Sequence, residues 1–140
     1  MTEFVSEIKT IPYAPESVYK MLSDLSNLEK IRSQIPADKV GEMACDRDSC
    51  TFNVAPVGKQ TLRIVDREEN KTVKLTADNS PIEFFLWVQL AEPESAPGTT
   101  KMKLTVRAEL NPFIKAMAER PMREGIEKLA TIIASLPYNS

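Results

Sequence analysis

Histidine is absent from the 140 residues of this chain. Its absence excludes Ser-His-Asp and Cys-His catalysis, a histidine general base and histidine-ligated zinc or iron within one chain. Any remaining chemistry would depend on carboxylates, Lys, Arg, Tyr or Cys. The sequence therefore predicts no catalytic residue, no metal site and no cofactor.

A long apolar run, a basic leader and an excess of positive charge are also missing. No stretch approaches the ~20 apolar residues that a membrane helix needs, and the first ten residues alternate between apolar and polar. The net charge is -2 and the pI is near 5.3, so nothing generally attracts nucleic acid or anionic lipid. We expect a cytoplasmic protein with no membrane span and no nucleic-acid partner.

Cysteine is scarce, with two residues, Cys45 and Cys50. They flank a short polar segment and could face each other across a hairpin. In a cytosolic protein such cysteines are usually reduced and buried, which is the interpretation we adopt; a redox pair is the alternative. Two thiols without histidine make a poor zinc site.

Composition is otherwise that of an ordinary globular domain. Hydrophobic residues make up 42% and charged residues 27% of the chain. A chain of this length can bury roughly two-thirds of its unfolded surface without help. We therefore predict a single domain over residues 1–140.

Alternation of apolar and polar residues predicts seven strands. The first, Thr2 to Ile11, places Phe4, Ser6 and Ile8 on one face. The others are Val40 to Cys45, Cys50 to Val54, Gln60 to Glu68, Thr72 to Asp78, Ile82 to Ala91 and Lys101 to Leu110. Turn residues separate them, as in an antiparallel meander, and the polar segment from Glu92 to Thr100 predicts a mobile hairpin loop.

Helical periodicity occurs in three places. Pro15 to Leu22 opens with proline and an acid, and a second short helix is predicted from Ser26 to Ile31. The long helix runs from Phe113 to about Leu136, with Asn111 as its cap and Pro112 at its first position. Pro121, within it, should kink or loosen it. Its apolar stripe comprises Ile114, Met117, Met122, Ile126, Leu129, Ile132, Ile133 and Leu136.

This order of elements resembles the START-like superfamily, also called SRPBCC or helix-grip proteins, which includes the birch pollen allergen group and polyketide cyclases. The most specific local match is the segment from Ile11 to Leu28, and Asn111-Pro112-Phe113 resembles the family's entry into its last helix. The resemblance implies an α+β helix-grip fold. In it a curved antiparallel sheet of about seven strands surrounds the C-terminal helix, with two short helices after the first strand.

The resemblance also implies a cavity between sheet and long helix, often filled by a hydrophobic ligand. The side chains expected to face it are Met21, Ile35, Phe52, Phe84, Leu86, Met102, Leu104, Phe113, Met117 and Met122. The alternative is that these residues simply pack against one another, because Met and Phe fill irregular cores as well as line pockets.

Polar residues on the predicted inner faces are few. Ser6 and Asp66 interrupt them, and Asp66 lies near a strand end, where a solvated role is more common. Asp24 and Asn27 suit capping better than catalysis. Arg120 and Arg123 flank Pro121 and could reach the anionic head of a ligand at the cavity mouth; a surface lattice of salt bridges is the alternative.

Phe85 and Trp87 fall on the strand face opposite the core. Exposed aromatic residues on a sheet suggest contact with a partner, most simply a second copy of this chain. A strand bulge that turns Trp87 inward is the alternative.

Three functions fit these observations. The first is a noncatalytic domain that encloses a small hydrophobic or amphipathic ligand. The second is an enzyme of the polyketide cyclase or dehydratase type, which lacks an identifiable inward acid-base set here. The third is a protein-interaction module with Phe85 and Trp87 as its contacts. The apolar inner faces favour the first.

Overall fold

The computed structural model describes residues 2–27, 43–54, 58–78, 83–136 and 138, except for the side chains of 43, 52–54 and 58–60. These residues form one antiparallel sheet, a short N-terminal helix and a long C-terminal helix. The predicted helix-grip α+β fold is confirmed. Within the described ranges, no helix has the length and apolar character needed to cross a bilayer.

Within the described residues, eight strands make up the sheet, joined in the order β1-β8-β7-β6-β5-β4-β3, with β2 also paired to β8. Neighbouring strands pair antiparallel throughout this order, as the hairpin-rich sequence predicts. The strands are β1 (Thr2–Val5), β2 (Lys9–Ile11), β3 (Met43–Cys45), β4 (Ser49–Val54), β5 (Gly58–Glu68), β6 (Thr72–Asp78), β7 (Phe84–Ala91) and β8 (Thr100–Ala108).

A bulge divides the first predicted strand into β1 and β2. Val5 pairs with Thr105 and Lys9 with Met102, so three residues of the first strand oppose two of β8. The extra residue shifts the alternation by one position. Phe4 and Ser6 are buried as predicted, whereas the prediction for Ile8 is wrong, since it is 63% exposed.

The β3–β4 hairpin places Cys45 directly opposite Cys50, and the two are joined in a disulfide. The expectation of reduced thiols is therefore wrong, because this register brings both side chains to the same position on the same face. Asp46 fixes the turn: its Oδ1 accepts hydrogen bonds from the backbone N–H groups of Ser49 and Asp48. These bonds, that from Ser49 first, hold the pKa of the Asp46 carboxyl below its usual value.

A second irregularity lies in β5, where the ladder passes from Ile64 to Asp66 and skips one residue. Ile64 pairs with buried Leu75, but Asp66 pairs with Lys74, which lies on the other face. Asp66 is therefore exposed on the outer side, and its proposed place on the inner face is wrong. The strands β6, β7 and β8 keep the predicted alternation throughout.

The short helix α1 (Pro15–Leu22) begins at proline, with Glu16 in its first turn, as predicted. After it, Asp24 accepts hydrogen bonds from the backbone and hydroxyl of Ser26, and the Asn27 side chain donates to the Met21 carbonyl. Asp24 thus caps a backbone amide as predicted, whereas Asn27 caps a backbone carbonyl at the end of α1 instead. Most of the second predicted helix, residues 28–31, lies outside the described residues.

The long helix α2 spans Pro112–Ala134 and is continuous through Pro121. Asn111 caps it as predicted, because its side-chain oxygen accepts a hydrogen bond from the Ile114 N–H at 2.8 Å. The helix contacts β1, β2 and β8, while α1 contacts β6 and β7. The two helices therefore cover different parts of one sheet face, here called the gripped face.

Candidate functional site

One end of the gripped face, here called the closed end, is fully packed. Tyr138 meets Tyr13 edge-on, with ring centres 5.9 Å apart, and donates its hydroxyl to the Ile133 carbonyl at 2.6 Å. Burial raises the pKa of the Tyr138 phenol. The side chains of this end are buried and apolar: Ile11, Val18, Met102, Leu104, Ala130, Ile133 and Leu136.

The opposite end, here called the open end, is packed less completely. It carries the last paired rows of β8 and β7, where Val106 lies beside Leu86 and Ala108 beside Phe84. Leu86, Val106 and Ala108 are buried. Phe84 is only half-buried, as are Leu110 after β8 and Met122 on α2. Apolar side chains thus remain partly exposed beside the buried core.

The start of α2 lies at this end of the sheet. The Arg123 guanidinium carbon lies 5.4 Å from the Phe4 ring centre, and Glu127 contacts Glu7 and Lys9, so α2 runs in the same direction as β1 and β2. Pro112 follows Ala108, the last residue of β8, after a connection of three residues. The first turns of α2 therefore lie close to the end of the paired strands.

Phe113 and Met117 lie in these first turns and are 75% and 67% exposed. Met117 precedes buried Ile126 by nine residues, or two and a half turns, which places it on the opposite side of the helix. The prediction that Phe113 and Met117 face the interior is therefore wrong. Met122, one turn before Ile126, does face the sheet and packs against the core.

The other predicted cavity residues separate into three groups. Met102 and Leu104 are completely buried in the closed end, where they pack as core. Phe84 and Leu86 lie in the open end, and Met21 on α1 packs half-buried against the core. Ile35 and the side chain of Phe52 lie outside the described residues.

Charged residues on α2 form two pairs near the open end. Arg123, which covers the Phe4 ring, is bound to Glu119 at 3.3 Å. Glu119 precedes Ile126 by two turns, so it faces the sheet side and is half-buried. Arg120 is exposed and bound to Glu124 at 3.3 Å, as in a surface lattice. The polar pair beside the open end is therefore Glu119 and Arg123, of which sequence reasoning selected only Arg123.

Buried hydroxyls on the gripped face are occupied by backbone groups. Ser6 Oγ accepts the Leu104 N–H at 2.9 Å, and Thr100 Oγ1 donates to the Tyr13 carbonyl at 2.7 Å. Among the described residues, no buried side-chain polar atom lacks a hydrogen-bond partner. No three Cys, Asp or Glu side chains in the same ranges come together as metal ligands.

Arg67 has a role that the sequence did not indicate. The skipped residue in β5 places Arg67 opposite buried Val73, so its side chain points to the gripped face. There it donates to the carbonyls of Ser23 and Arg47 at 3.0 and 3.2 Å and to Asp48 at 2.7 Å. Only knowledge of the bulge could have assigned Arg67 to this face.

Phe85 and Trp87 stay on the outer face, as the alternation predicted. Both are half-buried, with ring centres 6.0 Å apart. The Lys74 ammonium lies 4.6 Å from the Phe85 ring centre and 5.2 Å from that of Trp87, and Arg107 lies 5.8 Å from Trp87. These cations flank the aromatic pair and hold it against the sheet.

No protein-family model matches the chain, and no curated protein matches it. Solved structures do match over nearly its whole length. Norcoclaurine synthase from Thalictrum flavum has a TM-score of 0.76 at 9% identity, covering 99% of this chain and 87% of that one. A protein of Thermus thermophilus has a TM-score of 0.63 at 16% identity, covering 95% and 94%.

A third similar structure is the di-domain ARO/CYC protein BexL of the BE-7585A biosynthetic pathway. Its TM-score is 0.70 at 15% identity, and the match covers 96% of this chain but 45% of that one. At such identities these likenesses show the fold alone. The chain has the helix-grip fold that the resemblance implied.

Proposed function

We propose that the open end of the gripped face binds a small apolar or amphipathic molecule. The observation that carries this proposal is the contrast between the two ends of that face. Met102 and Leu104 are fully buried at the closed end, whereas Phe84, Leu110 and Met122 remain half-buried at the open end. Covering such apolar surface with a ligand is favourable by ~25 cal/mol per Å² removed from water.

An amphipathic ligand fits the charges beside these residues. Glu119 and Arg123 form a half-exposed ion pair next to the Phe4 ring. The polar head group of a ligand could replace Glu119 or Arg123 in this ion pair. The apolar part of the ligand would then lie against Phe84 and Leu86. A few polar groups beside a mostly apolar surface are typical of small-molecule sites.

One of the structural neighbours supports the ligand size. Norcoclaurine synthase from Thalictrum flavum has been solved in complex with dopamine and hydroxybenzaldehyde, and that structure has a TM-score of 0.73 to this chain. Both ligands are single-ring aromatic molecules. The proposal for this chain covers binding alone, since Ser6 and Thr100 are already engaged by backbone groups.

Methyl NMR of the full chain tests the proposal. The probe is 1-anilinonaphthalene-8-sulfonate, which combines apolar rings with one anionic group. We expect its titration to shift the methyl resonances of Leu86, Leu110 and Met122. The methyls of Met117, on the far side of α2, and of Leu136, in the closed end, serve as controls and should not move. Shifts confined to Met117, or none at all, would contradict the proposal.

A further inference from the structure

The outer face of the sheet has an ordered arrangement of charges and aromatic rings. In one row across the sheet the strand registers align Lys103, Gln89, Thr72 and Glu68, on β8, β7, β6 and β5. The next row contains Thr105, Trp87, Lys74 and Asp66 in the same strand order. Basic and hydroxyl groups thus lie on β8, and carboxylates lie on β5.

Among the described residues, the charges in these rows are incompletely matched. Lys103 is half-buried, yet it has no ion pair in these ranges. Asp66 accepts a hydrogen bond from the adjacent Arg67 N–H, and Glu68 forms an ion pair with exposed Lys71 at 3.6 Å. The same face exposes Val5 at 42% and the bulge residue Ile8 at 63%. Unmatched charges beside exposed apolar side chains are typical of an interaction surface.

Shallow depressions lie on both sides of Trp87. One, of about 330 Å³, is lined by two cations and one carboxylate, Lys103, Arg107 and Glu3, together with Thr105 and Val5. The other, of about 230 Å³, is lined by two carboxylates and one ammonium, Asp66, Glu68 and Lys74, together with Thr72. Trp87 and Gln89 border both. The face therefore offers a basic and an acidic recess on either side of a shared aromatic ridge.

We propose that this face binds a second copy of the chain about a twofold axis that runs along the strands between β6 and β7. Such an axis places β7 opposite the partner's β6 and β8 opposite the partner's β5. Rotation about this axis does not move a residue along the strand direction. Each row therefore lies opposite the same row of the partner. The contact is isologous, so every pairing occurs twice.

The charged and aromatic pairings in the two central rows are then complementary. Lys103 meets the partner's Glu68, and Trp87 in the next row meets the partner's Lys74 as a cation–π pair. Thr105, whose hydroxyl donates to Gln89 of its own chain at 2.9 Å, lies opposite the partner's Asp66, and Gln89 lies opposite the partner's Thr72. Sheets packed face to face lie about 10 Å apart, a gap that a lysine and a glutamate side chain can bridge.

The next row along the strands is also compatible with this dimer. It brings Arg107 opposite the partner's Arg63 by the same registers. Each arginine is already paired in its own chain, Arg107 with Glu3 at 2.8 Å and Arg63 with Asp78 at 3.1 Å. The acidic recess also favours a second copy over a nucleic-acid strand, whose phosphates the carboxylates would repel.

Sedimentation equilibrium with charge-reversal variants tests this dimer. K103E and E68K should each weaken self-association by at least about tenfold, because each creates two like-charge contacts. An equimolar mixture of the two variants should restore dimers with one chain of each kind, since both contacts then join opposite charges. K128E and E94K carry the same charge changes at exposed positions away from this face and should associate like the wild type.

Far-UV circular dichroism establishes that each variant is folded; if K103E is not, K103Q replaces it and should also weaken the dimer. A wild type that stays monomeric at every concentration overturns the proposal. So does a dimer that K103E and E68K leave intact, or a mixture that fails to recover. The outer face lies opposite the gripped face, so this test is independent of the proposed ligand site.

Discussion

Ser6 and Leu104 are joined by two hydrogen bonds. The Ser6 N–H donates to the Leu104 carbonyl at 2.9 Å, and the Leu104 N–H donates to the Ser6 hydroxyl oxygen at 2.9 Å. The side chain of Ser6 thus takes the position of a backbone acceptor at the point where the bulge interrupts the ladder between β1 and β8. This bond explains why a polar residue is buried at this position of the mostly apolar gripped face.

Replacing Ser6 by Ala should destabilise the fold by ~1–3 kcal/mol, because it leaves the buried Leu104 N–H without an acceptor. Urea unfolding followed by circular dichroism measures the change. Ser95→Ala, at an exposed loop position, is the matched control and should stay within ~0.5 kcal/mol of the wild type. Equal stability of S6A and S95A would show that water or a shifted backbone satisfies Leu104.

The same bulge shows what the sequence could and could not indicate. Alternation correctly assigned Phe4 and Ser6 to the buried face, and it described β6, β7 and β8 throughout. It failed at Ile8 and Asp66, each just after an extra residue in a strand. A bulge leaves no local signature in these segments, yet it exchanges the faces of every residue that follows.

Arg67 should contribute to stability through the contacts it makes at the end of α1. Arg67→Ala removes charged donors from the Ser23 and Arg47 carbonyls and should cost ~1–3 kcal/mol. Arg67→Lys should recover little of this, because one ammonium cannot reproduce the forked geometry. Arg120→Ala, which breaks only an exposed pair with Glu124, is the control, with an expected change within ~0.5 kcal/mol. A lysine variant as stable as the wild type would contradict this geometry.

Tyr138 should make stability fall at alkaline pH. Burial raises the pKa of its phenol above the ordinary value of 10.0. The stabilising contribution of the Tyr138 phenol is therefore complete below pH 10.0. It declines as the pH rises further, because the phenol ionises in the unfolded chain while the folded chain holds it neutral. Urea unfolding between pH 8 and about pH 11 should show this decline in the wild type and a shallower one in Tyr138→Phe. Parallel profiles would mean that other groups cause the decline.

The sequence predicted that the candidate site is apolar, but not which apolar residues belong to it. The apolar pattern of β7 and β8 correctly indicated an apolar gripped face. It could not separate Met102 and Leu104, which are sealed in the closed end, from Phe84 and Met122 in the open end. That division depends on where α2 crosses the sheet, and Phe113 and Met117 are exposed because they lie on the side of α2 away from the buried Ile126. The position of a helix on a sheet cannot be predicted from the spacing of apolar residues along the chain.

The most direct test of ligand binding compares two substitutions on α2, Met122→Trp and Met117→Trp. The first fills the open end from the helix side, whereas the second places the same ring on the exposed side of α2. Fluorescence titration with 1-anilinonaphthalene-8-sulfonate measures the dissociation constant, and circular dichroism confirms folding. We expect M122W to weaken binding by about tenfold or more and M117W to leave it within about twofold of the wild type. Equal affinity in M122W and the wild type, or no binding by the wild type, would contradict the proposed site.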